Sequence, residues 1–218
     1  MPAPLNLNLW KKQLGDIPDS VWQETEIVTL VLADNNLSEV SGKIGSLKML
    51  RMLDLGHNQL TMLPEEIGRL PNLTDFLYLH DNRLTTLPSS FENLSRLRYL
   101  NISENSFEVL PECVSRMSGL LELRISDNSL RSLPSSIEHL SRLRELHLRN
   151  NSLTSLPDSI GTMHELRLID LRGNPLTRLP SSIAALPRLE KLDLRWVSSL
   201  ELPTWIADLE ARGCSVYA

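Results

Sequence analysis

Apolar residues recur along the chain at a spacing of 23 positions, and this repeat dominates the sequence. The unit reads LxxLxLxxNxLxxLPxxIxxLxx. Its LxLxx segment has leucine at every second position, which predicts a short strand with leucine side chains turned inward. Its LPxxIxxL segment predicts a short helix that starts at the proline and turns Ile and Leu to the core. The units start at positions 4, 27, 50, 73, 97, 120, 143, 166 and 189.

The repeats occupy positions 4–211, which leaves almost nothing for a second folded unit. We predict one domain over 1–218, with an N-terminal cap or degenerate repeat at 1–26 and a C-terminal cap at 189–218. Successive strands stack in parallel about 4.8 Å apart. Helical segments are wider than strands, so the stack must curve with its strands on the concave side. The fourth unit has one extra residue, and a bulge there would change the facing of Phe76.

An asparagine at the ninth position of the unit follows each internal strand. Its side-chain amide both donates and accepts, so it can satisfy backbone groups that the turn leaves open. The first and last units carry Lys12 and Val197 instead, which indicates that the loss of Asn marks an end of the array. Beyond the last unit, CSVYA predicts a final strand with Cys214 and Val216 turned inward. The predicted ladder consists of Asn35, Asn58, Asn82, Asn105, Asn128, Asn151 and Asn174.

The LxxLxLxxN and LPxxI segments resemble those of leucine-rich-repeat (LRR) proteins over positions 4–211. The 23-residue form is similar to intracellular members of bacteria, including delivered effectors, and of the Ras-associated group of eukaryotes. The ending, with LPTWIADLEARGCSVY, is similar to the ends of bacterial cytosolic members. The resemblance implies an α/β fold: a right-handed, horseshoe-shaped solenoid with a parallel sheet on the concave face and short helices or 3-10 turns on the convex face.

Composition narrows the classes of partner. The 218 residues carry a formal net charge of -5, so neither nucleic acid nor an anionic membrane is expected as a partner. No apolar run approaches a membrane span, and the first residues lack the pattern of a secretory signal. The two cysteines predict no disulfide framework and favour a reducing compartment. We expect a monomer in the cytoplasm, or in a host's cytoplasm if the protein is a delivered effector.

The third, fifth, seventh and eighth residues of each unit are predicted to face solvent, and they carry the candidate binding residues. In units two to five they combine large apolar side chains with acids and include no Lys or Arg. Exposed aromatics rimmed by acid predict a protein-binding patch. Alternatively, large side chains on neighbouring strands merely cover one another. These residues are Met52, Phe76, Tyr78 and Tyr99, with Asp34, Asp54, Asp81 and Glu104.

In units six to nine the same positions carry equal numbers of basic and acidic residues. This balance favours a cross-strand lattice of ion pairs that stabilises the fold little. However, Arg149, Arg172 and Arg195 are all seventh residues, so a ladder of guanidinium groups could bind a partner carboxylate. His147 is predicted to join an ion pair. The charged residues are Arg124, Arg149, Arg172, Lys191 and Arg195, with Glu122, Asp127, Glu145, Asp170 and Asp193.

Candidate chemistry is sparse. Asp34, His57 and Asp81 are eighth residues of adjacent units, so a metal-assisted hydrolytic site is an alternative, but no ligand motif supports it. We therefore predict no metal, no cofactor and no catalytic residue. Trp10 and Trp196 lie in the terminal units, where we expect end-cap packing; anchoring of a partner is the alternative.

The leading hypothesis is a non-catalytic scaffold that binds a protein partner on its concave face. The alternative is a targeting or substrate-recognition module of a larger protein or of a host-delivered effector system. The predicted partner-binding residues are Met52, Asp54, His57, Phe76, Tyr78, His80, Tyr99, Arg124, His147, Arg149, Arg172 and Arg195.

Overall fold

Ten short parallel strands form one open sheet in the order of the sequence. The computed structural model describes residues 5–218, so the predicted start of the first unit at Pro4 lies outside the described residues. The tenth strand follows the last repeat, where CSVYA predicted one. The strands are β1 (Leu5–Asn8), β2 (Ile27–Val31), β3 (Met52–Asp54), β4 (Phe76–Tyr78), β5 (Tyr99–Asn101), β6 (Glu122–Arg124), β7 (Glu145–His147), β8 (Leu168–Asp170), β9 (Lys191–Asp193) and β10 (Ser215–Tyr217).

In β3 to β9 a buried leucine or isoleucine at the centre of the strand fixes the register of the sheet. Leu53 in β3 pairs with Leu77 in β4, and both are fully buried. The extra residue of the fourth unit is absorbed before the strand, where the chain bends at Asp75. Phe76 therefore pairs regularly with Met52 and its side chain stays exposed, so the insertion does not change its facing.

Short helices form the opposite side of the array. In units three to eight, the proline of the LP pair immediately precedes the helix, as at Pro64 with φ -73° and ψ 145°. Its carbonyl oxygen accepts a hydrogen bond from the Ile67 N–H at 3.2 Å. The expectation that the proline lies inside the first turn is wrong by one residue, because this ψ is extended. The 3-10 helices are Asp19–Gln23, Gly42–Ser46, Glu65–Arg69, Ser89–Asn93, Ser135–His139, Asp158–Thr162 and Ser181–Ala185, and the α-helices are α1 (Glu112–Ser115) and α2 (Ile206–Ala211).

The ladder asparagine ties each unit to the one before it. Asn58 donates from Nδ2 to the carbonyl oxygens of Leu32 at 3.1 Å and Leu55 at 3.0 Å. Its Oδ1 accepts from the Leu37 N–H at 3.0 Å. The other ladder asparagines make equivalent bonds. The amide of each ladder asparagine therefore reaches backward, to the preceding unit.

One continuous apolar core lies between the sheet and the helices. Cys113 in α1 and Cys214 before β10 are buried in it as free thiols. Within residues 5–218, every helix is too short or too polar to span a bilayer. The α/β solenoid predicted from the repeat is therefore confirmed, and its strands present one long face on which the candidate residues lie.

Candidate functional site

Solvent-facing strand residues form rows that cross the concave face. Because the strands pair in register, each residue lies beside the same position of the neighbouring units. The predicted binding residues of both halves of the chain are thus brought onto one surface. The third-position row runs through Met52, Phe76, Tyr99, Glu122 and Glu145, and the fifth-position row runs through Asp54, Tyr78, Asn101, Arg124 and His147.

Phe76, Tyr78 and Tyr99 form a contiguous group, the aromatic cluster. The ring centroids lie 6.0 Å apart for Phe76 and Tyr78, and 5.0 Å apart for the two tyrosines. Phe76 and Tyr99 are separated by 5.6 Å. These distances are typical of favourable aromatic pairs, so the rings do cover one another in part. Phe76 nevertheless remains 44% exposed, which leaves an apolar surface open to a partner.

A shallow groove of about 330 Å³ runs beside the aromatic cluster along Phe76 and Tyr99. Its walls include Arg98 and the ion pair of Arg51 with Asp75, whose atoms approach to 3.1 Å. These wall residues were not among the predicted binding residues. Arg51 and Arg98 are second residues of their units, a position that the pattern does not assign to the concave face. Asp75 lies at the one-residue insertion of the fourth unit, and this insertion is the sequence feature that could have indicated it as a candidate.

The tyrosines of the aromatic cluster stay protonated at neutral pH. Burial is the main cause that raises the pKa of Tyr99 to about 12. Burial, followed by the charge of Asp54, also raises the pKa of Tyr78. Each phenol therefore offers an apolar ring together with a neutral hydroxyl donor. This combination is enriched at protein interfaces.

Arginines in the last units bind carboxylates of their own strands. Arg172 contacts Asp170 in a bidentate pair at 2.9 and 2.7 Å, and Arg195 contacts Asp193 likewise at 2.9 and 2.8 Å. The prediction that these acids face solvent is wrong, since Asp170 is buried and Asp193 is 1% exposed. Burial acts to raise the pKa of Asp193, but the hydrogen bonds and charge of Arg195 lower it overall. On the concave face of units six to nine, ion pairs therefore form mainly between residues two apart in the same unit, which share a face.

The three guanidinium groups of the ladder, those of Arg149, Arg172 and Arg195, already bind carboxylates within the protein. Arg149 binds Asp127 of the preceding unit at 2.8 Å, and Arg172 and Arg195 are held as described. A partner carboxylate would compete with these contacts. Binding by the ladder remains a prediction from the sequence, and the paired geometry makes it a weaker candidate than the aromatic cluster.

The terminal tryptophans do not pack as caps. Trp10 is 55% exposed and Trp196 is 71% exposed, so the expected end-cap packing is wrong for both. Trp196 has its ring 5.9 Å from the guanidinium carbons of Arg172 and Arg195. Its φ is positive, at 64°, as it is at the eighth residue of the internal units.

Glu122, Glu145 and His147 bring one potential metal-ligand atom each within 4.8 Å of the others, which in residues 5–218 makes them a three-ligand group. The His147 Nε2 atom lies 3.2 Å from Glu145 Oε2. Arg124 already donates to Glu122 Oε1 at 2.5 Å. Burial, and then the charge of Arg124, lower the pKa of His147. His147 therefore acts at neutral pH as an uncharged hydrogen-bond partner rather than as the cation of the predicted ion pair.

His57 contacts both Asp81 and His80 at the edge of the concave face. Its Nδ1 lies 2.6 Å from Asp81 Oδ2, and its Nε2 lies 3.2 Å from His80 Nε2. Asp34 instead lies 3.7 Å from the Lys11 ammonium. Asp34, His57 and Asp81 therefore do not direct their side chains at one metal position. Asp34 pairs with Lys11, and Asp81 contacts the Nδ1 atom of His57.

Family models match most of the chain. The model described as a leucine rich repeat matches residues 25–84, 71–130 and 108–153, and the one described as a leucine-rich repeat region matches 135–211. The chain belongs to the leucine-rich-repeat family. The resemblance drawn from the LxxLxLxxN and LPxxI segments is thus confirmed.

Individual relatives cover parts of the chain. It is 33% identical to fibromodulin of Oryctolagus cuniculus over 109 residues, which cover 47% of this chain and 72% of fibromodulin. An LRR protein of Leptospira interrogans matches with a TM-score of 0.77 and 26% identity, and the match covers 98% of this chain and 65% of the Leptospira chain. The LRR ectodomain of GASSHO1/SCHENGEN3 from Arabidopsis thaliana was solved in complex with CASPARIAN STRIP INTEGRITY FACTOR 2. It matches with a TM-score of 0.74 and 33% identity, and the match covers 87% of this chain and 24% of the ectodomain chain. The chain thus spans less than two thirds of either solved structure.

The family sets the coarse function. LRR domains are in general scaffolds for protein–protein interaction and are typically non-catalytic binding modules. The fold supplies the surface, while the partner is chosen by the side chains placed on it.

Proposed function

We propose that this protein is a non-catalytic scaffold that binds a protein partner on its concave face, with the aromatic cluster at the centre of the contact. The contiguous and partly exposed rings of Phe76, Tyr78 and Tyr99 carry this proposal. Large aromatic side chains that lie together and lose water on binding supply most of the affinity at protein interfaces. The complex of the similar GASSHO1/SCHENGEN3 ectodomain supports a protein ligand as the class of partner.

Asp54, beside Tyr78 of the aromatic cluster, favours a partner with a basic residue at that point. Asp54 pairs in register with Tyr78, and its charge contributes to the raised pKa of that tyrosine. Carboxylates at the rim of an apolar contact favour partners of opposite charge and increase the association rate. The matching partner surface is therefore an apolar anchor with lysine or arginine opposite Asp54, while Arg98 in the groove wall favours an acidic residue there.

A pull-down with quantitative mass spectrometry would identify the partner, and calorimetry with the purified pair would measure its affinity. The double variant Tyr78→Ala/Tyr99→Ala is expected to weaken binding by about 30-fold or more, because a central aromatic anchor contributes about 2 kcal/mol or more. Circular dichroism and thermal melting would establish that the variant folds.

Tyr217→Ala is the matched control. Tyr217 is an exposed tyrosine at the far end of the sheet, where it pairs with Asp193. It should leave the affinity unchanged. Equal affinity of the folded double variant and the original protein, or an equal loss in the control, would contradict binding at the aromatic cluster.

A second candidate is a targeting or substrate-recognition module within a larger or host-delivered system. The partial coverage of solved relatives, 65% and 24% of their chains, favours this candidate. Immunoblotting of source cells would test it, since a native protein larger than these 218 residues is then expected. A native protein of this length that is retained in the source cell would argue against it.

We also propose that the protein is located in the cytoplasm, either of the source cell or of a host. Cys113 and Cys214 support it, because both are buried free thiols. Proteins of oxidising compartments more often use cysteines as disulfides. Cell fractionation would test the location, and recovery from a secretory compartment would contradict it.

A further inference from the structure

We propose that His57 and His80 together bind a divalent transition-metal ion, Zn²⁺ in the first instance, with Asp81 orienting His57. The site goes beyond the proposed partner binding and departs from the expectation that no metal is bound. Three features carry it: the separation of two ring nitrogens, the carboxylate behind His57, and the backbone that holds both rings.

The separation of the two ring nitrogens matches the edge of a zinc coordination tetrahedron. The Nε2 atoms of His57 and His80 lie 3.2 Å apart, and the ring planes are inclined at 80°. Zinc–imidazole bonds of about 2.0–2.1 Å in tetrahedral geometry place two such nitrogens about 3.3 Å apart. A bound ion would take the place of the proton that the two Nε2 atoms share, and His80 would then carry its proton on Nδ1.

The carboxylate of Asp81 prepares His57 as a ligand. It lies 2.6 Å from Nδ1, on the side of the ring opposite to His80. A histidine that binds a metal usually donates its other N–H to a carboxylate, which fixes the tautomer and leaves the Nε2 lone pair free.

The backbone holds the two rings in place. The His57 N–H donates to the His80 carbonyl at 2.9 Å, and the Asn58 N–H donates to the Asp81 carbonyl at 3.0 Å. The His80 ring lies directly over Gly56, where an added Cβ would come within 2.4 Å of His80 Cε1. Both histidines therefore lie on turns that are hydrogen-bonded to each other. Little further ordering of the backbone is needed when an ion binds.

Charge and access also suit a cation. The carboxylates of Asp54 and Glu104 add negative charge around His80. The His57 side chain is half exposed, and with Asp81 it lines a pocket of about 370 Å³ that His80 does not border. Water, or a ligand atom from a bound partner, would complete the coordination from the exposed side of His57.

The three-ligand group of Glu122, Glu145 and His147 is less suited to an ion. The Arg124 guanidinium already occupies the cation position, at 2.5 Å from Glu122 Oε1. Its positive charge also contributes to the lowered pKa of His147. A divalent ion would meet this charge at close range, whereas the histidine pair lies among carboxylates.

The test is a zinc titration of the full chain after dialysis against a chelator, read by competition with a chromogenic zinc indicator. Cobalt absorption spectra give a second readout. We expect one Zn²⁺ per chain and a rise in melting temperature on zinc addition, because the ion binds only the folded state. His57→Gln and His80→Gln should each abolish both effects, and Asp81→Asn should weaken the affinity by about 10- to 100-fold.

The double variant His139→Gln/His164→Gln is the control, because both histidines are exposed and lie outside the strands. It should bind zinc like the original protein. The proposal is overturned if the original protein binds no zinc, if His57→Gln still binds it, or if His147→Gln removes the binding instead. Should His80→Gln fail to fold, His57→Gln decides alone, since the His57 side chain is half exposed.

Discussion

Replacing Asn151 by alanine is expected to destabilise the fold strongly, because its amide joins the seventh unit to the sixth. The Oδ1 atom accepts from the Leu130 N–H at 3.0 Å, and Nδ2 donates to the carbonyl oxygens of Ile125 at 2.8 Å and Leu148 at 3.0 Å. Asn151 and Leu130 are both buried, so water cannot replace these bonds without opening the turn.

The three bonds are not lost at equal cost. Ile125 O also accepts from Asn128, and Leu148 O also accepts from Asn174, so each carbonyl keeps one donor. The Leu130 N–H keeps none within residues 5–218. A buried donor without a partner costs about 1–3 kcal/mol, and each lost neutral bond costs about 0.5–1.5 kcal/mol. We therefore expect a loss of about 3 kcal/mol, or a fall in melting temperature of about 6–12 °C for a domain of this size.

Urea unfolding followed by circular dichroism measures this loss, with the free energy extrapolated linearly to water. Asn72→Ala is the matched control, because Asn72 donates a single exposed hydrogen bond, to the Lys48 carbonyl at 2.8 Å. Its removal should cost less than about 0.5 kcal/mol. If Asn151→Ala costs no more than Asn72→Ala, the buried amide bonds of the ladder do not stabilise the array.

Three further predictions concern Cys113, Tyr99 and Gly68. Cys113, whose thiol pKa is raised by burial to about 11, should resist iodoacetamide at mildly alkaline pH and react after denaturation, as counted by mass spectrometry. Folding raises the pKa of Tyr99 to about 12, above the value of about 10 in unfolded chains. Stability should therefore fall as the pH rises between these values, and Tyr99→Phe should reduce that slope in urea unfolding. Gly68→Ala would place a Cβ 2.4 Å from the Ser90 backbone and should cost about 1–3 kcal/mol, whereas Gly42→Ala meets only a flexible carboxylate and should cost little by the same measurement.

The sequence sufficed for the fold because the repeat specifies the same local interactions many times. Leu53 and Leu77 occupy equivalent positions, and any slip of one residue would turn a leucine to solvent. The ladder residues were recognisable for a similar reason, since an amide that recurs after each strand must serve the turn. Even the inserted residue could be placed near Asp75, although the undisturbed facing of Phe76 required the structure.

The details of the concave face did not follow from the repeat, because they depend on which side chains meet across two units. Asp193 occupies a position that the pattern assigns to solvent, yet the side chains of Arg195 and Arg172 cover it. The contact of His57 with His80 joins an eighth residue to a seventh residue of the next unit, a diagonal pairing that the row pattern does not contain. Side-chain rotation decides such contacts, and spacing along the chain carries no information about it.

The two ends of the ladder lack asparagine for different reasons. Each amide reaches backward, and residues 5–218 contain no unit before that of Lys12. Val197 is different, because an asparagine there would face the eighth unit, whose Leu176 N–H has no acceptor within residues 5–218. Being last in the array therefore does not by itself explain Val197. Its side chain packs in part against the core, beside the end that Cys214 and β10 close, so the last unit replaces a hydrogen bond to the preceding turn with apolar contact at the cap.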